Sequence, residues 1–155
     1  MIKGVLGFSQ GGALAALLVA MLERPDALPK VKINHIPMKF GIFMAGFKTL
    51  DLTVTHIFDE LVTTPTVHII GKTDFIVGKK RSQPLIDACQ NPRVEWHEGG
   101  HHIPRDASWG AFFKAYLAAW DPDSTISPSE VLSPTPPYLA PEAVKGVRTK
   151  IIPSL

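Results

Sequence analysis

The stretch GVLGFSQGGALAALL, residues 4–18, decides what kind of chain this is. Residues 2–7 read as a short buried strand, and from about Gly11 to Leu22 the sequence is apolar and helix-forming. Between the two, Gly7-Phe8-Ser9-Gln10-Gly11 fits the pattern G-x-S-x-G, in which small residues let a tight strand-to-helix turn close without clashes. A serine on such a turn is forced outward. The next residue, Gln10, opens the helix, so its backbone N–H faces any negative charge that develops beside the serine. Ser9 is therefore the candidate nucleophile and the Gln10 N–H the candidate oxyanion donor. The competing reading is a chance Gly-Ser-Gly loop, and the strand before it and helix after it favour the nucleophile. Because residues 13–22 are apolar nearly all round, the helix is predicted to be buried rather than half-exposed. Glu23-Arg24-Pro25-Asp26 ends it, since proline cannot continue the ladder.

Working outward, residues 39–46 (KFGIFMAG) form a second apolar run of strand length. Residues 47–64 are a connector with a short helix predicted at 56–62. TVHII at 66–70 is a third strand, β-branched and bounded by Pro65 and Gly71. A loop at 71–78 leads to a helix over 82–90, closed by Asn91-Pro92, and RVEWH at 93–97 alternates like a fourth strand. From Ser108 to Trp120 the residues Trp109, Phe112, Phe113, Tyr116, Leu117 and Trp120 repeat at helical spacing, which reads as core packing. Strands alternating with helices predict an α/β fold, a mostly parallel sheet of about four strands with helices on its faces. Residues 1–120 read as one domain. Half of the 14 prolines fall after residue 120, so 121–155 reads as an irregular Pro-rich tail, ordered where Tyr138 or Ile151-Ile152 docks.

Bulk composition narrows the classes. A chain of 155 residues, 45% hydrophobic and 19% charged, has the makings of a packed globule. Its net charge of +2 comes without a basic run longer than Lys79-Lys80-Arg81, which argues against a nucleic-acid partner. The apolar run 13–22 is too short to span a bilayer and lacks the basic flank of a signal peptide, so no membrane partner is read. Cys89 is the only cysteine. That excludes a disulfide framework and a Cys-based zinc site, and it favours a reducing, cytoplasmic compartment.

A nucleophilic serine needs a base, and the base needs an acid to orient it. With the serine on a strand-to-helix turn of a parallel sheet, the chain order is Ser, then Asp or Glu, then His, at the carboxyl ends of successive strands. Asp74, in GKTDFIV just past 66–70, and His101, in HEGGHHIP just past 93–97, satisfy that order. The second stretch also spells HExxH, two zinc ligands about a general-base glutamate. That chemistry requires a helix. Gly99-Gly100 costs one about 2 kcal/mol relative to alanine, Pro104 stops it, and no third ligand is apparent. The residues favour a single catalytic His on a turn, with no metal and no cofactor. His102 is the alternative base, but Gly99-Gly100 delivers His101 first. His68 reads as a packed core histidine, while His35, His56 and His97 carry no partner signal.

GVLGFSQGGALAALL, HIIGKTDFIVGKKRSQPL and HEGGHHIP together resemble the family of serine hydrolases (FSH) within the α/β-hydrolase superfamily, over about residues 2–120. The GFSQGG elbow is also similar to that of acyl-protein thioesterases and small carboxylesterases, and the GGH-x-(I/V)-P loop is what points to FSH. The resemblance implies a Ser9–His101–Asp74 triad acting on a small-molecule ester or thioester, with relatives among esterases and the thioesterases of fungal biosynthetic clusters. It also implies strands ahead of the elbow, where this sequence has six residues before Gly7. The expectation is a member truncated at its N-terminus, a partial α/β-hydrolase fold lacking its first strands and the second oxyanion donor. The strand at 2–7 would then be an edge open to pairing with a second copy, a homodimer, and a non-catalytic binding role is the competing class.

Overall fold

A computed structural model describes residues 3–27 and 34–135. The chain runs β1 (Gly4–Phe8), α1 (Gln10–Glu23), β2 (Phe40–Met44), β3 (Thr66–Gly71), α2 (Lys79–Asp87), β4 (Pro92–His97) and α3 (Ala107–Ala118), with 3-10 turns at Pro25–Ala27, Thr55–Phe58 and Pro128–Glu130. The four strands are parallel and lie in sequence order, β1 beside β2 beside β3 beside β4. Every strand therefore ends at the same edge of the sheet, and every loop that follows a strand opens there.

Alternation along the strands explains the layers. In β2, Phe43 points to the side holding α1 and α2, where it packs with Val19, Phe58, Val62 and Leu85. Its neighbours Phe40, Ile42 and Met44 point the other way, onto Trp109, Phe112 and Tyr116 of α3. The two central strands, β2 and β3, are covered on both faces in this way, which is why they read as nearly unbroken apolar runs. Each fully buried Phe, Ile or Val contributes roughly 1.5–3 kcal/mol. His68 lies in β3 at 1% exposure, edge-on to Phe43 and bonded to the Thr66 hydroxyl at 3.1 Å. Burial pushes its pKa down to about 4, so it is the neutral core histidine the sequence suggested.

Three local expectations change. The segment predicted as a helix at 56–62 is a four-residue 3-10 turn, held from outside by the end of α1. Arg24 donates to the carbonyls of Ile57, Glu60 and Leu61, and the Glu23 carboxylate accepts from the amides of Thr63 and Thr64. The helix α2 begins at Lys79, ahead of the predicted 82, and carries Pro84 inside it. The carbonyl that Pro84 leaves without an amide belongs to Lys80, which is solvent-exposed. Finally, α1 is not buried all round. One face lies on the sheet, but Leu14 is 67% exposed, and Leu17, Leu18 and Met21 are half-buried.

After α3 the chain returns along β4. The Pro128 carbonyl accepts from Arg93, Ser133 donates to Glu95 at 2.5 Å and Thr135 to the Trp96 carbonyl at 2.9 Å, while Val131 enters the core. The predicted docking points Tyr138 and Ile151-Ile152 lie outside the described residues. At the other side of the sheet, β1 pairs only with β2 among the described residues. No helix among them is long and apolar enough to cross a membrane.

Candidate active site

The turn from β1 into α1 is built on close approach. At Gly7 an added Cβ would sit 2.7 Å from the Gly12 nitrogen and nearer still to the Gly11 carbonyl, so only hydrogen fits. At Gly11, by contrast, nothing lies within 4 Å. The two glycines of the motif are therefore unequal, and the first is the one the turn requires. Ser9 takes φ 55° and ψ −120°, a left-handed φ that a non-glycine residue adopts at a cost of order 1–3 kcal/mol. The Ser9 amide anchors it by donating to the Met44 carbonyl at 2.8 Å. Beside it, Ala45 also has a left-handed φ, 45°, which carries the chain round so that Gly46 lies against Gly12. The helix α1 opens at Gln10, whose N–H belongs to the first turn, where amides have no partner inside the helix.

The loops after β3 and β4 bring the other two residues to this turn. Asp74 is 7% exposed. Its Oδ1 accepts from the amides of Ile76 and Val77, each at 2.8 Å, a local motif available to a short carboxylate in a turn. Its Oδ2 lies 2.8 Å from His101 Nδ1. The opposite ring nitrogen, Nε2, lies 2.9 Å from Ser9 Oγ. Burial raises the Asp74 pKa, but the bonds from His101, Val77 and Ile76 outweigh it and hold the carboxyl below its usual range. An ionised carboxylate only accepts, so Nδ1 carries the imidazole proton and Nε2 offers its lone pair to the serine hydroxyl. Phe8 packs a ring on His101 at 4.8 Å between centroids, so the imidazole is held by its face as well as by both nitrogens.

His101 itself sits on a short turn, closed by the His102 amide on the Gly100 carbonyl at 2.9 Å. The preceding Gly99 carbonyl accepts from the Thr73 amide at 3.2 Å. Gly71 makes room, since a Cβ there would meet the Gly100 oxygen at 2.5 Å and the Gly99 oxygen closer still. The structure thus brings Ser9, Asp74 and His101 together and leaves His102 exposed, its Nδ1 directed at the carbonyl of Ile103. The HExxH spelling has no helix beneath it. His97 ends a strand and His101 lies on a turn, so the two histidines share no helix face. Two contributors had escaped the sequence. Phe8 fills the variable position of the motif, where an aromatic beside the serine was a usable signal. His97 is 5% exposed and accepts the Gly99 amide at 3.2 Å, which no spacing rule reveals.

Residues 1–113 match the family described as serine hydrolase (FSH1). The chain is 38% identical over 114 residues to a Schizosaccharomyces pombe protein named dihydrofolate reductase, covering 74% of this chain and 24% of that protein. It is 37% identical over 101 residues to the esterase OVCA2 of Xenopus tropicalis, covering 65% and 41%. A Drosophila melanogaster esterase is 34% identical over 105 residues, covering 68% and 35%. The chain thus spans less than half the length of these curated relatives. Among solved structures, a protein of unknown function from Agrobacterium tumefaciens superposes with a TM-score of 0.50 at 21% identity, over 76% of this chain and 52% of that one. A bifunctional GH43-CE protein from Bacteroides eggerthii gives 0.52 at 13% identity, over 72% and 22%. These two likenesses bear on the fold alone.

Proposed function

Because the chain belongs to the serine hydrolase (FSH1) family, we propose that it cleaves a small-molecule carboxylic ester or thioester through an acyl-enzyme on Ser9. One observation carries the reading: a single imidazole, His101, held between the Asp74 carboxylate at 2.8 Å and the Ser9 hydroxyl at 2.9 Å. His101 Nε2 takes the hydroxyl proton as Ser9 Oγ attacks the substrate carbonyl carbon. The Gln10 N–H donates to the oxygen that becomes negative, and removing one such donor typically costs about a hundred- to a thousandfold in rate. Collapse expels the alcohol or thiol, which leaves with the proton from Nε2. Water then repeats the sequence on the acyl-serine, losing its proton to His101 and releasing the acid. Asp74 keeps the imidazole in the reactive tautomer and stabilises the transient imidazolium. Every proton and electron pair is accounted for by these groups and water, without a cofactor.

The esterase names of the frog and fruit-fly relatives support the ester substrate. The thioester alternative, and a place in fungal secondary metabolism, rest on the resemblance of the elbow and the GGH-x-(I/V)-P loop described above. A cytoplasmic setting is supported by the single cysteine, Cys89, which is buried.

Rapid mixing with a short-chain p-nitrophenyl ester tests the reading. The expected result is a burst of nitrophenolate stoichiometric with chain, abolished in Ser9→Ala. Turnover that survives in Ser9→Ala overturns it, and measurable Ser9-dependent turnover excludes the competing reading of a non-catalytic binding protein.

A further inference from the structure

We propose that His97, which takes no part in the chemistry above, is a positioning residue whose neutral imidazole accepts the Gly99 N–H and so sets the turn that carries His101. This rests on the reading of Ser9, His101 and Asp74 as the site.

The need for such a device follows from the loop. Between the end of β4 and His101 stand Glu98, Gly99 and Gly100, and two adjacent glycines lose more conformational freedom on ordering than any other pair. A base must nevertheless stay within hydrogen-bond reach of its nucleophile. The loop is pinned from one side by β3 and the turn after it. Lys72 N donates to the His97 carbonyl at 2.8 Å and Thr73 N to the Gly99 carbonyl at 3.2 Å. These bonds hold carbonyls only. The amide of Gly99 is held by His97 Nδ1 at 3.2 Å, and that bond fixes the peptide plane from which Gly100 and His101 follow.

The ring that makes this bond is itself immobilised. His97 meets Trp109 edge-on at 6.1 Å between centroids and His102 at 4.9 Å. A Cβ on Gly71 would come within 3.1 Å of its Cε1, so β3 closes the remaining side. Only the neutral ring, protonated on Nε2, can accept at Nδ1. The surroundings favour that form. Burial and then the neighbouring His102 lower the His97 pKa, against smaller opposing effects of Asp74, Asp106 and Glu98.

Two side chains separate the acceptor from mere aromatic filling. His97→Phe keeps the ring against Trp109 and removes the acceptor. His97→Asn places an amide oxygen where Nδ1 stood. Acylation of Ser9 by a fluorophosphonate, kcat and KM for the aryl ester, and hydrogen exchange of the Gly99 amide are measured on all three chains. The expected result is a loss of roughly tenfold to a hundredfold in acylation rate and kcat for His97→Phe, with KM little changed. Faster Gly99 exchange in that variant and recovery of most of the rate in His97→Asn complete the pattern.

Wild-type acylation by His97→Phe overturns the inference, and so does an equal loss in both variants, which marks the ring's packing as what matters. If the phenylalanine variant does not fold, His97→Gln replaces it, since its amide reaches toward the Nε2 position and not toward Gly99. Failure of the wild-type chain to acylate at all overturns the reading of the site instead. Gly99 exchange then decides the positioning role by itself, and unchanged exchange in the variant lacking the acceptor overturns it.

Discussion

Replacing the two glycines of the elbow by alanine, one at a time, should produce effects of opposite sign. At Gly7 the new Cβ would lie 2.7 Å from the Gly12 nitrogen and closer to the Gly11 carbonyl, where ordinary contact begins at 3.4 Å. The obstructing atoms are backbone on the first turn of α1, so no side chain can swing aside. The start of the helix must retreat from the end of β1 by about 1 Å, and overpacking of that kind costs roughly 1–3 kcal/mol. Ser9 lies between the two moving parts. Its oxygen, now 2.9 Å from His101 Nε2, leaves hydrogen-bond reach, and a misplacement of about 1 Å costs on the order of a hundredfold in rate. At Gly11 nothing lies within 4 Å, and the residue is an exposed position of α1. Alanine there should stabilise by roughly 0.5–1 kcal/mol through helix propensity and a less flexible unfolded chain. Urea unfolding measures the first quantity, and the acylation rate of Ser9 by a fluorophosphonate measures the second. Equal behaviour of Gly7→Ala and Gly11→Ala, in either assay, would refute the close-approach reasoning.

Other perturbations test separate parts of the account. In Asp74→Asn the side-chain oxygen can still accept from Ile76 and Val77, but the amide now donates toward His101 Nδ1. The reactive tautomer is lost, and the rate is expected to fall by about three to four powers of ten with the fold intact. A fall smaller than tenfold would contradict Asp74 as the orienting acid. Stability should also decline in acid in two stages. The folded pKa of His68, about 4, lies below its ordinary 6.5, so the unfolded chain binds that proton first. Stability drops as pH falls through this window, by about 3 kcal/mol from His68, and the lowered His97 adds to the fall. The depressed carboxyls Asp74 and Glu23 contribute stability above the unfolded carboxylate range, near pH 4, and lose it as pH falls further. Urea midpoints followed downward from neutral pH check both stages, and a flat profile from about pH 6.5 to 4 contradicts the buried neutral His68.

How much of this was written in the residues depends on the range over which each feature is determined. The two central strands were legible because a sheet covered on both faces needs apolar segments, as in KFGIFMAG and TVHII, and the fourth because RVEWH alternates. The elbow was legible because its constraints are local, confined to five residues. Asp74 and His101 were legible from chain order and from their places just past strands. The loop glycines then told a turn from a helix. What escaped was set by tertiary surroundings. The outward face of α1 looks like core in the sequence, yet Leu14 is largely exposed because helix packing covers only one side of it. The 55–58 turn is held by Arg24, through the Ile57 carbonyl, from more than thirty residues away, which no periodicity within the segment reports. His97 carried no signal because its role depends on an amide two residues on and on the absent side chain of Gly71. The order of residues 127–135 is likewise fixed by Arg93, Glu95 and Trp96 of β4, whereas composition shows only prolines.

The proposed chemistry requires that Ser9 be a nucleophile activated by His101. Intact-mass measurement of the chain after treatment with a fluorophosphonate, followed by peptide mapping, tests this directly. The expected result is a single adduct on Ser9, formed by the native chain and absent from Ser9→Ala, with His101→Ala slowing its formation by several powers of ten. An adduct on another residue, or one that persists in Ser9→Ala, would contradict the account.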